Sequence, residues 1–323
     1  YIDIEHLKDW ANNEKDINEL KVFVEKYIYN VKNWNEYIEL CGGKDKLEKL
    51  RKVEFVENID IKSSTLNNDS YNMTELMICT ASKALEDNKT AVVGTGLPML
   101  ASMLAQKTHA PNLLIMFEAG GIAPLLPALP MSVGDSRTHF KSLVATSMPD
   151  IMETCARGSV DYAFLGGAQI DKFGNLNSTM IGTNYEKPKV RLPGSGGAND
   201  LASLCWQTII IMKMDKHKFV EKLDFLTTPG YLSGAGEREK AGLPPGGGPY
   251  KVITDYCVLN FDDQTKIMEI ESLHPGITRQ DVQEKCGFTL NMPDNLSTTP
   301  KPTKIELEIL RKEIDPTGQV INK

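Results

Sequence analysis

The chain has 323 residues, with 36 Lys and Arg against 43 Asp and Glu, a formal net charge of −7. That length allows one large domain or two ordinary ones, each able to bury a core without disulfides or metals, and 41% hydrophobic with 24% charged residues fits a globular protein. The acidic balance excludes a general binder of phosphate backbones, and no apolar run approaches the roughly 18–20 residues of a membrane span.

Six cysteines (Cys41, Cys79, Cys155, Cys205, Cys257, Cys286) are spread singly without a CxxC, and the five histidines never form HExxH. Zinc ribbons, thioredoxin chemistry and zincin-type sites have no support, and no metal is expected. No basic segment followed by an apolar one opens the chain, so the reading is a reduced, cytoplasmic protein.

The first residues are Tyr1-Ile2-Asp3, not Met. Ile17, Leu20, Val24, Tyr27 and Ile28 recur at helical spacing, and a second short helix is expected over 35–40, stopped by Gly42-Gly43. With the charged piece from Lys44 to Lys52, residues 1–55 read as a helical arm. Residues 56–72 are polar and read as a linker. The main domain is then 73–323. Its first helix is expected from Thr74, the N-cap, to Glu86. Thr90 to Val93 is a short strand, 97–107 a helix, and Leu113 to Phe117 a continuous apolar run, the mark of a strand covered on both faces. Met148 to Arg157 reads as helix, Val160 to Leu165 and Thr208 to Met212 as buried strands. Shorter strands follow at 250–254, 258–261 and 267–270, then helices near 278–285 and 304–313. Alternation of this kind predicts an α/β domain built on an open, largely parallel sheet.

Glycine is concentrated at Gly94/Gly96, Gly120-Gly121, Gly166-Gly167, Gly194/Gly196-Gly197 and Gly246-Gly247-Gly248. In open α/β sheets ligands bind where loops converge at the carboxyl ends of strands, and backbone NH groups there can hold an oxyanion or phosphate. Gly94-Thr95-Gly96 is not a dinucleotide fingerprint, because Met99 stands where the third Gly is needed, and GxxxxGK[ST] is absent. The richest run is Leu192-Pro193-Gly194-Ser195-Gly196-Gly197-Ala198-Asn199-Asp200. It reads either as a plain helix-capping loop, with Asn199 and Asp200 as caps, or as an oxyanion cradle. Glu118 follows the apolar strand and precedes Ala119-Gly120-Gly121. A carboxylate there is expensive unless paired or functional. It is either a salt-bridged sheet-end residue or a nucleophile made reactive by desolvation. Cys155 and Cys205 read as core thiols. Gly246-Gly247-Gly248 and His274-Pro275-Gly276 read as surface turns.

From about Met73 to the C-terminus the chain resembles the β subunit of glutaconate CoA-transferase, a class I CoA-transferase. The matching stretches are 93–98, Phe117-Glu118-Ala119-Gly120, Ser132-Val133-Gly134-Asp135, Gly166-Gly167-Ala168-Gln169-Ile170-Asp171, 174–179, Gly194-Ser195-Gly196-Gly197-Ala198-Asn199, Thr228-Pro229-Gly230, Gly242-Leu243-Pro244 and Glu313-Ile314-Asp315-Pro316, in family order. Tyr27 to Val31 with 35–40 resembles the tail of the family's α subunit. That implies the latter part of an αβ fusion whose first part is cut away or held as another chain; an engineered start explains the missing Met equally.

The resemblance implies that Glu118 is the catalytic carboxylate. It attacks an acyl-CoA thioester to give an anhydride and CoA thiolate, CoA returns to form a glutamyl-CoA thioester, and an incoming acid reverses the exchange. The implied oxyanion and CoA-binding loops comprise Gly120, Gly194, Gly196, Gly197, Ala198, Asn199, Gly166 and Gly167. Coenzyme A is a substrate, no resident cofactor is implied, and an α-type subunit completes the pocket. The family's Ser-Gly after the Glu is Ala119-Gly120 here, and 121–124 also differ, which bears on the acyl pocket. Other readings are a fold relative that hydrolyses or decarboxylates an acyl-CoA, a non-catalytic partner subunit, and a nucleotide-binding module, the last disfavoured by the failed fingerprint.

Overall fold

The computed structural model describes residues 70–126 and 128–322. The arm expected over 1–55, and all but the end of the 56–72 linker, lie outside these residues. The first helix, α1, runs Met73–Lys83, capped by Asn72 rather than Thr74. The Asn72 side chain accepts from the Glu75 amide at 2.9 Å, and the Glu75 carboxylate accepts from the Asn72 amide at 2.9 Å. This reciprocal box needs an acid three residues after the cap. Asn72 has one; Thr74 would have Met77.

There follow β1 (Thr90–Val92), α2 (Leu97–Lys107), β2 (Leu114–Met116), β3 (Gly121–Ile122), β4 (Val144–Ala145), α3 (Met148–Ala156) and β5 (Tyr162–Leu165). Two small hairpins come next, β6 (Gln169–Ile170) with β7 (Leu176–Asn177) and β8 (Met180–Ile181) with β9 (Val190–Arg191), then α4 (Ala198–Leu204) and β10 (Gln207–Ile211). The remainder is α5 (Glu237–Lys240), β11 (Gly248–Ile253), β12 (Cys257–Phe261), β13 (Met268–Leu273), α6 (Arg279–Glu284), β14 (Ser297–Thr298) and α7 (Lys304–Ile309), which passes into a π-helical turn, Leu310–Ile314.

Ten strands form one sheet in the order β14-β13-β12-β11-β10-β5-β1-β2-β3-β4. The central run from β11 to β2 is parallel throughout, and antiparallel strands extend it at both edges. The chain steps from β1 outward to β2, then returns to the other side of β1 to lay down β5 and β10. That reversal places the crevice of the sheet at the carboxyl ends of β1 and β5.

Side chains alternate between the two faces of each strand. Ala91, Ile115, Phe117, Phe164 and Ile209 pack with Ile78 of α1, Leu100 of α2 and Leu310 beyond α7. Val92, Leu114, Met116, Ala163 and Ile210 pack with Ile151 of α3 and Leu201 of α4. The sheet is thus covered on both faces, which is why its strands read as unbroken apolar runs. The described cysteines are all buried and free. Cys155 and Cys205 are 0% and 1% exposed, core thiols as expected, and burial pushes the Cys79 and Cys257 thiols up to about 12.

Neither expected surface turn is wholly one. Gly246 is exposed, but Gly247 and Gly248 are buried at the start of β11, where Gly248, at φ +142°, lies against the Tyr231 ring. Likewise Gly276 is exposed while His274 is buried. Its Nε2 lies 2.8 Å from the Thr254 carbonyl, which can only accept, so Nε2 carries the proton; Nδ1 then accepts from the Thr299 hydroxyl at 2.9 Å. Burial lowers the His274 pKa from 6.5, against the opposing charge of Asp255. A histidine held neutral in the fold gives stability that is intact above its unfolded pKa and lost as pH falls below it. Urea midpoints should therefore fall as pH drops from about 6.5 towards 5, and the slope should flatten in His274→Gln. An equal slope in the variant would assign the effect to other groups.

Candidate active site

By the alternation above, residue 118 continues the Leu114/Met116 face, which looks towards α3 and α4. The chain turns immediately after β2. The Gly120 amide donates to the Phe117 carbonyl at 2.9 Å, and the Phe117 amide to the Gly121 carbonyl at 2.9 Å. Glu118 and Ala119 therefore form the tip of a tight turn between β2 and β3. The turn requires glycine behind it. Gly120 has φ +118°, and a Cβ there would stand 2.0 Å from the Thr146 carbonyl oxygen; at Gly121 a Cβ would stand 1.9 Å from the Thr138 carbonyl oxygen.

Glu118 is half-buried. Its Oε1 accepts from the Gly197 amide at 3.1 Å, and among the described residues it has no salt-bridge partner. Among the described residues, no cation makes it a salt-bridged sheet-end carboxylate. Gly197 is glycine for a local reason: a Cβ would stand 2.7 Å from Glu118 Oε1 and 2.7 Å from Met152 Cε of α3. Sequence reasoning missed Met152, whose position is fixed only by the packing of α3 beside α4.

The Gly194 to Asn199 run is a built loop. Gly194 donates to the Ser178 carbonyl at 2.9 Å, and the Ser178 hydroxyl donates to the Gly194 carbonyl at 2.8 Å. Gly197 is the N-cap of α4, without a side-chain cap, which corrects the expectation for Asn199 and Asp200. Asn199 sits inside the first turn. Its amide donates to Ser195 Oγ at 3.1 Å, and its side chain reaches out to the Thr227 carbonyl at 2.9 Å.

The amides expected to receive an oxyanion are not equally available. Gly120's is held by the turn, Gly194's by Ser178, and Ala198's by the Ser195 carbonyl at 3.0 Å. Gly197's points at Glu118 itself. Gly196, at φ +51°, has no hydrogen-bond partner for its amide among the described residues, and nothing lies within 4 Å of where its Cβ would be. Gly166 and Gly167 sit at the carboxyl end of β5, with β1 between them and β2. Gly167 packs against the Asn177 carbonyl, and no hydrogen bond joins either glycine to Glu118 among the described residues. No group of three or more His, Cys, Asp or Glu that could hold a metal occurs among the described residues, and none of their helices is long and apolar enough to cross a membrane.

The sequence profile of the family described as Coenzyme A transferase matches residues 74–285. The chain belongs to this family. The B subunit of 3-oxoadipate CoA-transferase from Pseudomonas knackmussii is 38% identical to this CoA-transferase over 243 residues, 75% of this chain and 93% of its own length. The B subunit of glutaconate CoA-transferase from Acidaminococcus fermentans is 38% identical over 255 residues, 76% of this chain and 94% of its own length. The crystal structure of that organism's glutaconate CoA-transferase superposes with a TM-score of 0.73 at 34% identity, covering 78% of this chain and 98% of that one. Further off, the IpdB subunit of a Mycobacterium tuberculosis cholesterol ring-cleaving hydrolase is 28% identical over 69% of this chain and 85% of its own length. The chain is thus a class I CoA-transferase protein of the β-subunit type.

Proposed function

We propose that this CoA-transferase moves CoA from an acyl-CoA to a carboxylic acid, a dicarboxylate such as glutaconate, with Glu118 as nucleophile. The observation that carries the reading is the Glu118 carboxylate at the tip of a tight turn, half-buried, held through one oxygen by the Gly197 amide and without a salt bridge among the described residues. With Oε1 held, Oε2 is the oxygen presented for attack. It forms a bond to the thioester carbonyl carbon, CoA leaves as thiolate, and an acyl-glutamyl anhydride remains. The thiolate attacks the Glu118 carbonyl, releasing the first acid and leaving a glutamyl-CoA thioester. The acceptor carboxylate repeats both steps in reverse. Carboxylate suits this because an anhydride is as activated as a thioester, so each step is reversible.

Each addition develops a tetrahedral oxyanion, and losing one preorganised donor to it costs roughly 3–4 kcal/mol. Gly196 and Gly197 supply such amides from this chain. The subunit naming of the relatives supports an α-type partner subunit that completes the pocket, and CoA is a substrate with no resident cofactor required. The IpdB relative is named as a subunit of a ring-cleaving hydrolase, which supports a second reading, a fold relative that acts as a hydrolase on an acyl-CoA.

Intact-mass measurement of the purified assembly after incubation with glutaryl-CoA or acetyl-CoA tests this. A CoA adduct on the peptide holding Glu118 is expected. Consumption of acyl-CoA without an adduct, and with free CoA as product, would replace transfer with hydrolysis.

A further inference from the structure

Arg238 of α5 is 1% exposed and makes no salt bridge among the described residues. Its guanidinium meets only main-chain carbonyls. Nη2 donates to Ala202 at 3.0 Å and Ser203 at 3.4 Å, and Nη1 to Gly230 at 2.8 Å and Pro229 at 3.3 Å. The Nε is buried without a partner. A buried, incompletely satisfied cation is an expensive way to fill space, where an apolar side chain of similar volume serves as well. What this one does is join two elements: the last turn of α4, whose terminal carbonyls need donors, and the 229–230 segment.

The same segment holds the other end of α4, where Asn199 donates to the Thr227 carbonyl. The segment is itself fixed, because Thr227 and Thr228 donate to Leu176, and Gly230 donates to Asn175 Oδ1 at 2.7 Å. Helix α4 is therefore clamped at both ends to one support, and its first residues are the ones that face Glu118. We propose that Arg238 is a positioning residue, fixing α4 so that the Gly196–Gly197 amides meet the Glu118 carboxylate and the oxyanion formed on it. This rests on the reading of Glu118 as nucleophile. A guanidinium suits the task because its rigid planar fork presents donors to carbonyls on two sides in one fixed geometry, which a flexible ammonium does less well.

The test uses Arg238→Met and Arg238→Lys in the purified assembly, with kinetics normalised to active sites counted by covalent CoA adduct. Hydrogen exchange in peptides spanning 194–204 should quicken at least about tenfold relative to the sheet. Turnover per active site should fall at least about tenfold, with KM for the acyl-CoA within about twofold. Lys should restore part of both, and it carries the same readouts if the Met variant does not fold. A merely structural arginine would lower the folded fraction and leave turnover per active site unchanged, which overturns the proposal. Unchanged exchange over 194–204 overturns it as well. Should the wild-type assembly form no adduct, the Glu118 reading fails by itself, and the exchange measurement alone decides whether Arg238 holds the loop.

Discussion

Replacing Glu118 by Gln should lower CoA transfer by about a thousandfold or more while leaving the fold intact. The amide oxygen can still accept from the Gly197 NH that holds Oε1 at 3.1 Å, and no salt bridge is broken, because none is made among the described residues. Half-buried residues outside a packed core change stability by small amounts when shape is kept, so the melting temperature should stay within a few degrees. Chemistry is another matter. A neutral amide cannot form the anhydride, and loss of a nucleophile removes the covalent route altogether. The measurement is turnover of acyl-CoA with an acceptor acid, read as new thioester, beside the intact mass. Activity within about twofold of wild type would mean that Glu118 is structural and that the chemistry resides on a partner chain.

Gly197→Ala should cost about a hundredfold in turnover with little loss of stability. The backbone at Gly197, φ −80° and ψ 0°, is open to alanine. The added Cβ would meet Glu118 Oε1 at 2.7 Å and Met152 Cε at 2.7 Å, both of them ends of flexible side chains. The fold can therefore give way, and what gives way includes the proposed nucleophile. Glu118 must swing off its amide, and misplacement of a reacting group by about 1 Å costs on the order of a hundredfold. The contrast is Gly120, where the clash is with backbone. Steady-state kinetics with a thermal melt separate the two effects. A variant that loses stability and activity together would show that the contact supports the fold and not the geometry of attack.

How far the sequence carries these arguments differs from residue to residue. The buried parallel strands were legible because both faces are covered, which writes an unbroken apolar run into 113–117 and 208–212. Glu118 was legible because it interrupts such a run directly before glycines. The state of the amides was not. Whether Gly194 or Ala198 offers its NH depends on Ser178 and Ser195, and neither partner follows from a pattern in the chain. The clamp on α4 joins residues 199, 227, 230 and 238 through contacts set by the route of the loops over the sheet. The motif at 228–230 could be seen, but not what it supports. The cap at Asn72 was missed for a simpler reason: Thr74 is also a favoured cap by residue type, and the acid three positions on decides between them.

The Gly197 hydrogen bond makes the two oxygens of one carboxylate unlike. In the proposed cycle the first acid departs with Oε2, and the acceptor acid leaves one of its own oxygens in that place, while Oε1 remains on the carbonyl throughout. If the amide keeps the carboxylate from turning over between cycles, an acceptor labelled with heavy oxygen marks Glu118 on a single atom, however many cycles are run. The side chain then has one atom that belongs to the protein and one that is on loan from the last substrate.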